Sequence, residues 1–313
     1  MEGLFFDGEK RVRLGEVDPH PHDAGDVELR ATLAGICGTD LAAVAKGTPP
    51  VAPGTVLGHE FVAVRCDDGR RVVVNPLIGC GQCDLCASGR DYICRKRAVI
   101  GIHRPGAFTR TVFAPESSLF DAGGLSDRQA VMVEPIATAL HACRLSGLAD
   151  RIAIIGAGAI GLSAVFVLRQ LGRTEVTVTD PARCRLDYAS AMGADVIEGR
   201  LSGEFEAVID CAGATSARED ALAASAPGGR AVFVGLQAPE FTFRPGFLIS
   251  GERSLLGSFG YNREEFKEAI GLAANFDEAW VHEISLSQAE EAFNGMIAGG
   301  ADPGHVKTHV RIN

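Results

Sequence analysis

The stretch Arg151-Ile152-Ala153-Ile154-Ile155-Gly156-Ala157-Gly158-Ala159-Ile160-Gly161 decides how this chain is read. Four apolar residues form a short buried strand, and glycines at G-x-G-x-x-G spacing follow it just before a helical pattern. That motif alone is weak in a chain with 38 glycines. In this context each glycine has a task. Gly156 permits the sharp turn, Gly158 lets a pyrophosphate approach the backbone, and Gly161 lets helix and strand pack closely. The helix that follows has Ala159 and Ile160 in its first turn, and offers free N–H groups and a positive dipole end to phosphate. Asp180 stands nineteen residues beyond Gly161, at the end of the next predicted strand. A carboxylate there can accept hydrogen bonds from both adenosine-ribose hydroxyls and repel a 2′-phosphate, which favours NAD over NADP. Arg183 and Arg185 work against that preference, since either can hold a 2′-phosphate. Asp180 also reads as a turn residue before Pro181.

On either side the alternation continues. Strand patterns recur at 175–179, 207–210, 230–234 and 254–257, with helical stretches at 159–170 and 183–192. This predicts a parallel, doubly wound sheet with helices on both faces. Ser126 is a predicted N-cap, and 127–145 is apolar at helical spacing, with Pro135 near its middle expected to bend the axis. Residues 1 to about 120 read instead as short β segments at 11–14, 26–34, 61–65, 71–75 and 108–114, bounded by Gly, Pro or Asp. A helix is expected over 263–274, and the tail 281–313 returns to short-strand character. The fold class is therefore α/β. A β-rich domain of 1–124 and 276–313 is expected beside a nucleotide-type domain of 125–275.

A length of 313 residues allows about two domains, each able to bury its own core. The 46% hydrophobic and 22% charged content excludes a disordered or collagen-like chain. A net charge of −10 argues against nucleic acid or an anionic membrane surface as partner. The longest uncharged run, 152–168, is short for a membrane span and rich in glycine. The start Met-Glu-Gly-Leu-Phe-Phe-Asp has no basic segment followed by a long apolar core, so a reducing, cytoplasmic setting is expected.

Cys80, Cys83, Cys86 and Cys94 fall within G-C-G-Q-C-D-L-C-A-S-G-R-D-Y-I-C, in a lobe of about 79–97. Four thiolates so close in sequence can close a tetrahedral shell around zinc without distant help. Two disulfides are the alternative, disfavoured in a reducing compartment. A closed four-sulfur site leaves no position open for chemistry, so this one is expected to be structural.

Two further motifs, Gly35-Ile36-Cys37-Gly38-Thr39-Asp40-Leu41 and Gly58-His59-Glu60, stand ahead of the lobe. With the lobe, Glu134-Pro135, the glycine motif and Gly228-Gly229-Arg230, the chain resembles the zinc-dependent medium-chain dehydrogenases over essentially its whole length. Glu134-Pro135 resembles the sorbitol (polyol) and threonine dehydrogenase branch. The resemblance implies a GroES-like β-rich catalytic domain, a Rossmann domain, two zinc ions per chain, NAD and a homo-oligomer, dimer or tetramer. It implies a catalytic zinc held by Cys37, His59 and Glu60 or Glu134, with water or substrate completing the shell. Asp40 is a partner for His59 or a helix-capping aspartate, and Thr39 a proton acceptor or a turn residue. Zinc would lower the pKa of a bound alcohol, whose carbon then passes hydride to the nicotinamide.

The implied activity is oxidation of a secondary alcohol of polyol, sugar or cyclitol type, or reduction of the matching ketone. A ketoreductase step on a larger metabolite and a non-catalytic nucleotide-binding protein are the alternatives. Ala42 stands where many relatives carry a relay histidine, which leaves the proton route open. His103 and Arg104 sit in a loop resembling one near the active site of polyol-type relatives, and read equally as a solvent-exposed hairpin.

Overall fold

The computed structural model describes residues 1–18, 22–300 and 304–312. The chain divides into two compact units, Met1–Glu134 with Asn262–Asn313, and Pro135–Tyr261.

In the second unit the glycine motif follows the central strand of a six-stranded sheet. The strand order is Asp195–Glu198, Glu175–Asp180, Arg151–Ile155, Phe205–Asp210, Ser225–Phe233, Ser254–Gly257, and every pairing is parallel. Counted along the chain this is 3-2-1-4-5-6, the doubly wound order of dinucleotide-binding folds. Its topological switch point lies between Arg151–Ile155 and Phe205–Asp210. Parallel sheets are covered on both faces, which is why Ile152, Ile154, Val208, Ile209 and Val232 are all buried. The strand Asp195–Glu198 was not anticipated. Its four residues are charged at both ends and only half buried between, so no apolar run announces it.

The first unit is built on a seven-stranded sheet. Its path runs Val281–Ser285, Lys307–Arg311, Asp26–Gly35, Glu60–Arg65, Arg71–Val74, Leu119–Asp121, with Thr111–Pro115 also pairing Asp26–Gly35. The C-terminal strand Lys307–Arg311 lies antiparallel to Asp26–Gly35, so the chain's end completes a sheet begun at its start. Leu29, Phe61, Ile100, Phe108, Phe293 and Val310 form much of its apolar core.

Two expectations need correction. Residues 127–145 form two helices, Asp127–Val131 and Val133–Leu145, broken at Met132. Pro135 is thus in the first turn of the second helix, where a missing N–H costs no intrahelical bond. The tail is not all short strand, since Leu286–Ile297 is a helix. Ser285 and Gln288 close a capping box there, and Leu286, Ala289 and Phe293 bury one face. The compact units divide at 134/135 and 261/262, beside the domain limits of 124/125 and 275/276 expected from the sequence. The helix Asp127–Val131 packs on the strands Asp26–Gly35 and Glu60–Arg65, and Arg263–Ala273 packs on that helix, with Phe266 against Phe120. Both helices therefore belong to the first unit.

No helix among the described residues is long and apolar enough to cross a membrane.

Candidate active site

Cys37 ends the loop after the strand Asp26–Gly35 and caps the helix Gly38–Lys46. Its backbone N–H donates to Asp40 Oδ2 at 3.0 Å, and its Sγ accepts from the Thr39 N–H at 3.4 Å. Thr39, half-buried, therefore meets the sulfur through its backbone. Asp40 is fully buried, and its other oxygen, Oδ1, stands 3.1 Å from His59 Nδ1. Asp40 is thus both a capping residue and a histidine partner. Gly58, at φ 98°, turns the chain so that His59 and Glu60 lead into the next strand, and a Cβ there would press on Phe108 at 3.0 Å.

Cys37, His59 and Glu60 converge, with one donor atom from each lying within 4.8 Å of the others. His59 and Glu60 are buried and Cys37 half-buried. Burial works against charge on His59, but Asp40 and the Cys37 sulfur hold its pKa well above the ordinary value. Burial and the Glu60 carboxylate push the Cys37 thiol up, against a downward pull from His59 and Lys307. Glu60 Oε2 accepts from the Lys307 ammonium, while Glu60 Oε1 is buried without a partner among the described residues. Lys307 is the site residue that sequence reading missed. Its only signal was a lysine in a short apolar-polar strand, and nothing local says that this strand ends beside Glu60. Burial disfavours the Lys307 charge, yet Glu60 and Cys37 raise its pKa.

Glu134 is half-buried in the first turn of the helix Val133–Leu145, and its charge also raises Lys307. It lies outside the group whose donor atoms meet within 4.8 Å.

The four-cysteine lobe is the second such group. Its sulfurs stand 3.6 Å (Cys83–Cys86), 3.7 Å (Cys83–Cys94) and 4.0 Å (Cys80–Cys86) apart. The edge of a tetrahedron with Zn–S bonds of about 2.3 Å is about 3.8 Å, so the set fits zinc. Backbone N–H groups of Cys80 and Lys96 donate to Cys94 Sγ. The backbone at Gln82, with Cys94, holds Cys80 down to about 6, whereas burial pushes Cys86 up to about 11.

In the other unit, Gly158 caps the helix Ala159–Gln170, and a Cβ on it would meet nothing within 4 Å. A Cβ on Gly161 would strike the Gly156 carbonyl, so this glycine is needed for close packing. Asp180 is buried at the end of its strand. Its Oδ2 accepts from the Ala157 N–H at 2.8 Å and its Oδ1 from the Ala182 N–H at 2.8 Å. The aspartate thereby ties the glycine loop to the turn at Pro181. Arg183 is exposed and pairs with Asp187 at 3.0 Å, while Arg185 is half-buried in the same helix, Arg183–Ala191. The loop after Asp210 was also missed. Asp210 Oδ1 accepts from the Ala212 and Gly213 N–H groups, and Ala212 stands across the switch point from Gly156.

His103 and Arg104 do not join these sites. They line a separate cavity of about 470 Å³ with Phe5, Glu16 and Pro53. Arg104 is held by Asp26 and Asp23, and His103 Nδ1 accepts from the Val99 N–H at 3.2 Å.

Residues 23–124 match the family described as alcohol dehydrogenase GroES-like domain, and residues 159–275 the one described as zinc-binding dehydrogenase. L-threonine 3-dehydrogenase of Streptomyces coelicolor is 31% identical over 83% of each chain. The chain belongs to the zinc-dependent medium-chain dehydrogenase family. L-galactonate-5-dehydrogenase of Escherichia coli is 29% identical to this dehydrogenase over 82% of each chain. A solved Escherichia coli alcohol dehydrogenase complexed with NADH superposes with a TM-score of 0.90 at 25% identity, covering 100% of this chain and 99% of that one. Family membership makes the protein an enzyme, a zinc-dependent alcohol oxidoreductase of the polyol and threonine dehydrogenase branch.

Proposed function

We propose that this dehydrogenase oxidises a secondary hydroxyl of a polyol, sugar or sugar-acid substrate, with NAD as hydride acceptor and two zinc ions per chain. The observation that carries the reading is the convergence of one thiol, one imidazole and one carboxylate on one point, with an orphaned oxygen on the buried carboxylate among the described residues. Three such donors are the set of a catalytic zinc with one position left open. Cys37 Sγ, the His59 nitrogen facing away from Asp40, and Glu60 would hold the ion, with Glu134 the alternative carboxylate. Bound there, zinc supplies the Lewis acidity that lowers an alcohol's pKa. Asp40 fixes the His59 tautomer by taking Nδ1–H, as partners of metal-bound histidines do. Lys307 balances the carboxylate charge. The hydroxyl of Thr39, the residue whose backbone N–H meets the Cys37 sulfur, is the acceptor for the alcohol proton, since Ala42 has none to offer. The lobe cysteines hold the second, structural ion.

For the cofactor, Gly156, Gly158, Ala159, Ile160 and Gly161 cradle the pyrophosphate. Asp180 keeps lone pairs for the ribose hydroxyls beyond its two backbone bonds, and Arg185 lies nearby. NAD should therefore exceed NADP in kcat/KM, and Asp180→Ser should narrow the gap. Equal values in the unmodified enzyme would assign the site to the arginines. The sugar-acid and amino-alcohol relatives support a hydroxylated, compact substrate. A panel of polyols, aldonates and L-threonine followed by NADH absorbance tests this, and turnover of only simple aliphatic alcohols would refute it.

The homo-oligomer belongs to the same reading. Leu236, Phe243, Phe247 and Ile249 are exposed apolar residues preceding the sheet-edge strand Ser254–Gly257. Light scattering at the monomer mass would remove that part. We also propose a cytoplasmic setting, in which the nine cysteines stay reduced.

A further inference from the structure

Lys307, His309 and Arg311 alternate along the C-terminal strand and share one face of the sheet, while Val310 enters the apolar core on the other. The register sets Glu60 opposite Gly35 and Gly35 opposite His309. Residues directly opposite share a face, so Glu60 and His309 flank Gly35 in one cross-strand row. A Cβ at Gly35 would collide with Glu60 Oε2 and crowd Lys307 Cε at 3.1 Å. The bare backbone of Gly35 is thus the floor on which the Glu60 carboxylate and the Lys307 side chain meet, with His309 at its far edge.

His309 is fully buried, and neither ring nitrogen has a hydrogen-bond partner among the described residues. Buried polar groups without partners are rare and costly enough to need a reason. Lys307 has the complementary surplus. Its ammonium carries three protons. One goes to the Ile36 carbonyl at 2.9 Å and one to Glu60 Oε2. Same-face neighbours on a strand stand about 7 Å apart, within the sweep of a lysine side chain. Burial together with Lys307, Arg128 and Arg311 keeps the His309 ring neutral, with a lone pair to offer.

We propose that His309 is a positioning residue, an acceptor for the Lys307 ammonium that can replace Glu60 and so frees the Glu60 carboxylate to face the metal. The inference rests on the reading of Cys37, His59 and Glu60 as zinc ligands. Lys307 keeps its proton throughout and exchanges one acceptor for another. Without His309, release of Glu60 would leave a buried ammonium on a single carbonyl, and a buried charge without its partner is strongly destabilising. Lys307 would then hold Glu60 back from the metal.

Zinc release to a chelator, with absorption of the cobalt(II)-substituted protein, tests this without recourse to turnover. His309→Leu should release the Cys37-site metal at least about tenfold faster than the unmodified protein. His309→Gln, whose amide oxygen can accept, should recover most of the difference. On a Lys307→Met background, His309→Leu should add nothing. Unchanged release and an unchanged cobalt spectrum in His309→Leu would overturn the proposal. So would an equal effect with and without Lys307, which would make His309 a packing residue. His309→Ala, which offers no acceptor, takes the place of leucine if that variant does not fold. Failure of the underlying zinc reading would look different, since Cys37→Ser would then hold as much zinc as the unmodified protein.

Discussion

Two clusters of side chains able to hold a metal ion lie among the described residues of the first unit, and they are built in opposite ways. The lobe gathers Cys80, Cys83, Cys86 and Cys94 from one short segment, with three of the four residues only half-buried. Short turns and local backbone N–H groups aim those sulfurs. The Cys37–His59–Glu60 site draws on separate segments and buries a carboxylate, a lysine and a histidine near one another. A cluster made of neighbours in sequence serves the fold. One assembled against the cost of burying charge serves chemistry, because only the rest of the fold can hold it together.

The largest effect separates the two directly. Cys37→Ser should abolish NAD-dependent turnover and remove about one zinc of two by elemental analysis, while the thermal midpoint stays close to that of the unmodified protein. Cys83→Ser should do the reverse in kind. It should remove the other zinc and lower the midpoint by on the order of 10 °C, because structural zinc contributes folding free energy. Turnover per folded molecule should survive it. If both variants lost stability equally, the division of labour would collapse.

Within the buried site, Glu60→Gln should weaken metal binding about 10–100-fold and Glu134→Gln less, since only Glu60 meets Cys37 and His59 within 4.8 Å. The reverse order, measured by competition with a chelator, would make Glu134 the ligand.

The smallest effect is on stability against pH. His309 has a folded pKa well below that of an ordinary histidine, first through burial and then through Lys307, Arg128 and Arg311. The unfolded chain therefore binds this proton first. Stability should be full above about pH 6.5 and fall as pH drops below it, by up to about 1.4 kcal/mol per pH unit until the folded pKa is reached. His309→Leu should flatten that limb in urea titrations at pH 5 to 7. A steeper limb would mean that His309 is protonated in the fold.

Much of this was legible before any coordinates. The alternation of strands and helices around Gly156–Gly161 required a doubly wound sheet, and the cysteine spacing required a tetrahedral lobe, because both signals are local. What misled was also local. Pro135 read as a mid-helix kink because apolar spacing runs unbroken through Met132, and spacing cannot register where a helix restarts. Leu286–Ile297 was masked by short-strand patterns on both sides, although Ser285 and Gln288 were there to announce it. Asp180 was read for the ribose and for the turn before Pro181, while the fold also uses it to brace the glycine loop.

By itself the sequence determined the family and the two domain types and offered candidate residues for zinc and NAD, since hydrophobic period and ligand spacing act over a few residues. Only the tertiary structure decided that Lys307, 247 residues from Glu60, shares its carboxylate, and that His309 shares their row. Antiparallel pairing of the last strand with Asp26–Gly35 brings them there. Strand pairing across the length of a chain leaves no mark in local pattern, because the free energy that selects it comes from a sheet that exists only once the chain has folded.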